Sequence, residues 1–187
     1  MTKKIIHLFK NDLRISDNPS FSAACENGDV IPIYILDERN IYDDSAQGWW
    51  LINSLEKLNQ SLSNNLYMYS GNYKDVISNL VKKHDIQAVY WNRSYDPYSI
   101  NRDKDLKLYL ENKNIEVKTF NSTLLWEPWL VAKPDGTPYR VFSPFYRKGC
   151  LKQKEPRFPL PEPKKVSFFK LNDADDIKKL ELLNGFN

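Results

Sequence analysis

Between residues 4 and 120, short runs of β-branched and aromatic residues alternate with longer amphipathic stretches, and this alternation limits the fold more than any other feature. It is the pattern of consecutive βαβ units: a parallel sheet with right-handed crossovers and helices over both faces. Five strands are expected, at residues 5–9, 30–36, 66–70, 88–92 and 115–120. The helix starts between them carry physical signals. Asn18 caps the first helix with Pro19 at its first helical position, where a missing N–H costs nothing, and Asp96 with Pro97 repeats the device for the fourth. Asn72 caps the third, whose Val76, Ile77, Leu80 and Val81 form an apolar stripe. In the second helix Trp50, Leu51, Leu55, Leu58 and Leu62 are expected to lie on the sheet. The fold class is therefore α/β: three layers around a doubly wound, five-stranded parallel sheet of Rossmann-like or flavodoxin-like type.

After Phe120 the texture changes. Prolines at 128, 134, 138, 144, 156, 159, 161 and 163 leave room for little regular structure beyond a helix after Ser143-Pro144. The expected division is an α/β domain over residues 1–125 and a connecting extension over 126–187, whose last stretch, from Asn172, is charged and mildly helical. Aromatic residues are frequent in that extension, among them Trp126, Trp129, Phe142, Phe145, Tyr146 and Phe158.

Charge and composition narrow the function. The 27 basic and 24 acidic side chains leave a net charge of +3 with no dense basic run, which reads as a solvated surface rather than a nucleic-acid groove. Cys25 and Cys150 lie far apart without metal-ligand spacing, as in a reduced intracellular protein. The N-terminus shows no cleavable signal pattern and no apolar run reaches membrane-spanning length, so the expectation is cytoplasmic, with no membrane partner. Neither G-x-G-x-x-G nor a P-loop is present, and His7 and His84 give too little material for a histidine triad or a zinc site.

In open parallel sheets ligands bind outside the carboxyl ends of the strands. Lys10 to Arg14, Asp37-Glu38, Ser70-Gly71-Asn72 and Asn92 to Asp96 all fall there. For each there is also a plain structural role. Arg14 with Asp17 and Arg102 with Asp103 serve equally as loop-fixing ion pairs, Asp12 and Asp96 as turn or cap residues, and Trp49 and Trp50 as packing.

Three segments following these strands resemble a known family. Leu8-Phe9-Lys10-Asn11-Asp12-Leu13-Arg14-Ile15-Ser16-Asp17-Asn18, then Asn92-Arg93-Ser94-Tyr95-Asp96-Pro97, then Tyr139-Arg140-Val141-Phe142-Ser143-Pro144-Phe145 are similar in order and spacing to the N-terminal domain of the DNA photolyase/cryptochrome family. Trp49-Trp50-Leu51 with Ser54-Leu55 resembles the corresponding helix of microbial photolyases, which points to class I members that repair cyclobutane dimers. The resemblance implies a light-harvesting antenna domain. Its chromophore is a reduced folate, a deazaflavin or FMN, and FAD, with the contact to damaged DNA, belongs to a helical C-terminal domain that this sequence stops short of. Alone, the chain is expected to be inactive.

By the same resemblance Asn11, Leu36, Asp37, Tyr95, Asp96 and Tyr98 border the antenna pocket. The chain departs from the family where it binds folate, with Tyr98 and Ser99 in place of an Asn-Glu pair. It departs again where the family binds deazaflavin, with Ser94 for an acidic residue and Gln47 for an arginine. Ser143-Pro144-Phe145 reads as an interdomain element, and loss of its partner implies self-association through exposed aromatic side chains. The alternatives are a cryptochrome-type photoreceptor fragment and a freestanding flavodoxin-like ligand-binding domain.

Overall fold

The computed structural model describes residues 2–37 and 45–171; the expected helical stretch after Asn172, and Glu38, lie outside them. Five strands, β1 (Lys4–Phe9), β2 (Asp29–Leu36), β3 (Tyr67–Ser70), β4 (Ala88–Asn92) and β5 (Glu116–Phe120), form one parallel sheet in the order β3-β2-β1-β4-β5. That order is Rossmann-like, with its switch point between β1 and β4. Four helices link them: α1 (Pro19–Asn27), α2 (Ala46–Ser61), α3 (Tyr73–His84) and α4 (Pro97–Glu111).

The caps are those expected: the side chains of Asn18, Asn72 and Asp96 accept from the backbone of Phe21, Lys74 and Ser99. Gly28 ends α1 where a Cβ would lie 2.0 Å from the Lys3 carbonyl oxygen, so the return into β2 needs a residue without a side chain.

Alternation along the strands divides the core in two. Ile6, Leu8, Ile33 and Trp91 pack with Ile77 and Leu80 of α3 and Leu106 and Leu110 of α4. Ile5, Phe9, Tyr34 and Tyr90 pack on the other face with Phe21 of α1 and Leu55, Leu58 and Leu62 of α2. One expected contact is absent: Trp50 is 70% exposed, and Ile52 takes its place in the buried stripe of α2. At 100° per residue, positions 52, 55, 58 and 62 share a face that excludes position 50.

The expected boundary at 125 also moves. Met1–Ser122 and Pro161–Asn187 form one unit, and Thr123–Leu160 another. In the first, the tail returns to the sheet. The Val30 N–H donates to the Ser167 carbonyl (2.7 Å) and the Phe169 N–H to the Val30 carbonyl (3.0 Å), a single parallel bridge. Phe168 then packs on the core face of α1 and α2, and Leu171 on that of α3 and α4.

The second unit has its own ties. A turn closes at Lys133–Thr137, the indole Nε1 of Trp126 donates to the Lys154 carbonyl (2.8 Å), and Tyr139 meets Phe145 edge-on. A helical turn at Phe142–Pro144 continues as a π-helix, Phe145–Cys150.

Candidate functional site

The loop after β1 is fixed by buried amides and one carboxylate. Asp12 accepts from the Lys10 N–H through Oδ1 and from the Asn92 and Asn18 side chains through Oδ2. Asn92 Nδ2 also donates to Asn18 Oδ1 at 2.7 Å, and Asn92 Oδ1 accepts from the Ser20 N–H at 3.2 Å. The first two motifs thus meet at the switch point. Asp12, open between ligand and turn roles in the sequence, is committed to structure. Arg14 also fixes the loop, its guanidinium donating to the carbonyls of Asp17 and Ser122.

Beside this network lies a second one, of charges. Lys10 Nζ reaches Asp103 Oδ2 at 2.5 Å, and Arg102 bridges Asp103 and Asp37 at 3.0 and 3.3 Å. The Tyr98 hydroxyl donates to Asp37 Oδ2, and the Arg102 guanidinium lies 3.8 Å from the centre of the Tyr73 ring. Burial pulls the Lys10 ammonium below its ordinary range, against the pull of Asp103. Burial opposes the Arg102 charge too, but Tyr73, Asp103 and Asp37 outweigh it and hold the guanidinium protonated. Two carboxylates against two cations make the cluster neutral, a brace between the ends of β1 and β2 and helix α4.

A cleft of about 760 Å³ opens at the carboxyl ends of β1 and β2 beneath the start of α2. Leu13, Tyr34, Ala46, Trp50 and Leu51 give it apolar walls, and Lys10, Asn11, Arg14, Gln47 and Ser54 line the rest. Because the ammonium of Lys10 and the guanidinium of Arg14 are engaged elsewhere, the uncommitted polar groups are the carboxamides of Asn11 and Gln47. Neither side chain carries a hydrogen bond among the described residues. A cleft of this size, lined about equally by apolar and polar side chains, offers a ligand both an apolar wall and carboxamide donors and acceptors.

The other expected site residues go elsewhere. Leu36 packs on the core face of α1 and α2, and Asp37 sits in the charge cluster. The Tyr95 hydroxyl donates to Asn121 Oδ1 at 3.3 Å. Asp96 accepts from the Ser99 N–H at 2.9 Å as the cap of α4, and these hydrogen bonds hold its carboxyl below the usual range against slight burial. Tyr98 lines a different cleft, of about 550 Å³, between α3 and α4. None of Leu36, Asp37, Ser94, Tyr95, Asp96 or Ser99 lines either cleft. Trp50 lines the first despite being expected in the core. The signal was its phase, out of step with Leu55, Leu58 and Leu62.

A family model described as DNA photolyase matches residues 5–164. The chain belongs to the DNA photolyase family. A deoxyribodipyrimidine photo-lyase of Agrobacterium fabrum is 37% identical over 89% of this chain and 35% of its own length. Cryptochrome-2 of Arabidopsis thaliana is 35% identical over 87% of this chain and 28% of its own. Among solved structures, a bacterial class III photolyase from Agrobacterium tumefaciens superposes with a TM-score of 0.87 at 34% identity, covering 97% of this chain and 39% of that one. An archaeal photolyase from Sulfolobus tokodaii, described with two FAD molecules and a novel light-harvesting cofactor, gives 0.79 at 30% identity over 96% and 41%. The chain thus spans about a third of the length of the photolyase-family relatives it matches.

Proposed function

We propose that this chain is the light-harvesting antenna domain of a deoxyribodipyrimidine photolyase, and that the cleft between Asn11 and Gln47 holds its chromophore. The observation that supports this reading is the pair of carboxamides, without hydrogen bonds among the described residues, that line a cleft with apolar walls at the strand ends where this fold places ligands. The chromophore is a reduced folate, a deazaflavin or FMN. When bound it would absorb light and pass the excitation to FAD in a helical domain, where an electron is donated to a pyrimidine dimer in DNA.

The work of this chain's own residues is binding and orientation. Trp50, Leu51 and Tyr34 exclude water from the ring, and Asn11 and Gln47 hydrogen-bond its polar edge. The brace of Lys10, Asp103, Arg102 and Asp37 fixes the strand ends on which the cleft is built.

An absorption and fluorescence titration of the chain with each of the three chromophore classes tests the proposal. Saturable binding of one of them, weakened at least roughly tenfold by Gln47→Ala and by Trp50→Ala, is the expected result. Absence of binding, or binding indifferent to both substitutions, overturns it.

A further inference from the structure

The cleft at the strand ends continues past Trp50. A second groove, of about 630 Å³, adjoins it, and Leu13, Arg14, Trp50 and Ser54 line both. Beyond them it follows Trp49, Asn53, Lys57 and Ser61 along α2, within the first unit. Positions 50, 54, 57 and 61, spaced by four, three and four, share one face of the helix. Trp50, 70% exposed, borders both halves of one trench, and Trp49, 47% exposed, borders the second.

The two halves differ in charge chemistry. In the first, the Lys10 ammonium is turned to Asp103, and the carboxamides of Asn11 and Gln47 are the free polar groups. In the second, two cations keep donors in reserve. Arg14 bonds through Nη2 alone, to the carbonyls of Asp17 and Ser122 and to Ser122 Oγ, with Asp17 Oδ2 at 3.7 Å. Its Nε and Nη1 donate to nothing among the described residues. Lys57 is exposed and has no ion pair among them; its ammonium meets only the uncharged Gln60 Oε1 at 3.3 Å. Against these stands one carboxylate lining the groove, that of Glu162.

We propose that the second groove is a tail subsite: the chromophore in the first cleft carries an anionic tail that crosses Trp50 and is held by Arg14 and Lys57. This rests on the antenna reading and narrows it to rings with an acidic tail, a phosphate or a carboxylate. Ten helical residues separate Gln47 from Lys57, a distance of about 15 Å, which a ring alone does not span. An uncharged tail would cover Trp50 but leave both cations facing only Glu162. An anion in their place gains charge-assisted hydrogen bonds from donors that now have no acceptor.

Paired titrations of the full 187-residue chain test it, each pair sharing a ring and differing in the tail. FMN is compared with riboflavin, and a reduced folate with the tetrahydropterin that lacks its glutamate-bearing tail. In the pair that binds, the tailed member should bind roughly tenfold more tightly, an advantage that shrinks as salt rises. An advantage in the flavin pair marks a phosphate, and one in the folate pair a carboxylate. K57Q should cancel most of it and E162Q should increase it. K104Q, at an exposed position of α4 outside both grooves, should leave it unchanged. Gln47→Ala should instead weaken both members alike. Binding of no ring at all, deazaflavin included, sinks the antenna reading and this inference with it. Equal affinity with and without the tail, equal weakening of both members by K57Q, or binding only of a deazaflavin with an uncharged tail leaves the chromophore in its cleft and overturns the tail subsite.

Discussion

Asn92 at the end of β4 donates its side-chain amide to Asn18 Oδ1 at 2.7 Å, across 74 residues of chain. The same amide reaches Asp12, so one side chain ties the cap of α1 to the loop after β1. Removing it leaves a buried carboxylate short of its closest partner and the Ser20 N–H without an acceptor. Asn92→Ala should therefore cost about 3 kcal/mol, read as a lower urea midpoint at unchanged slope.

The pair of Lys10 and Asp103 gives a sharper contrast. Asp103→Ala strands a buried ammonium and should destabilise by about 3 to 5 kcal/mol, whereas Lys10→Met with Asp103→Leu should recover most of that loss, because a buried pair is worth little against apolar groups of similar volume. Recovery of less than half in urea titrations would show that Asp103 matters mainly through Arg102.

His7 makes stability depend on acid. It lies fully buried between Phe9 and Phe21 with Nδ1 against the Ser20 hydroxyl, and burial lowers its pKa to about 4. The unfolded chain takes up a proton near pH 6.5 that the folded chain refuses, so its stabilising share is complete above that pH. It is lost as pH falls from about 6.5 to about 4, by up to about 3 kcal/mol. His7→Phe should flatten stability against pH in that window; an unchanged slope would assign the acid sensitivity to another group.

Truncation tests the returning tail. A chain ending at residue 160 loses Val166, Phe168, Phe169 and Leu171 from the two core faces. It should be less stable than one ending at 171 by roughly 3 to 5 kcal/mol, measured by urea unfolding.

The exposed aromatic side chains of the second unit should also act between molecules. Phe158 is 88% exposed and Trp129 62%. We expect concentration-dependent self-association in sedimentation velocity, reduced by Phe158→Ser, while a monomer at high concentration would count against it.

Much of this architecture was legible because its signals are local. Asn18-Pro19, Asn72 and Asp96-Pro97 announce helix starts by chemistry contained within a single turn, and the strand runs alternate within five or six residues. What escaped depends on distant partners. Nothing near Lys10 indicates that its ammonium is matched by Asp103, 93 residues on, and nothing around Phe168 indicates a bridge to Val30. Asn11 and Gln47, far apart in sequence, line one cleft, and Trp50 lines it too although it reads as core and rim packing because aromatic residues on helices usually pack.

The bridge from Val30 to Phe168 also sets a schedule. Ser167 bonds to Asp29 across 138 residues, so the start of β2 goes without its bridging partner while a ribosome is still making the middle of the chain. Both core faces stay partly open until residue 171 has emerged, and contacts so far apart in sequence are slow to close. Until then this domain is a nascent chain with apolar surface on show, the interval in which chaperones have something to hold.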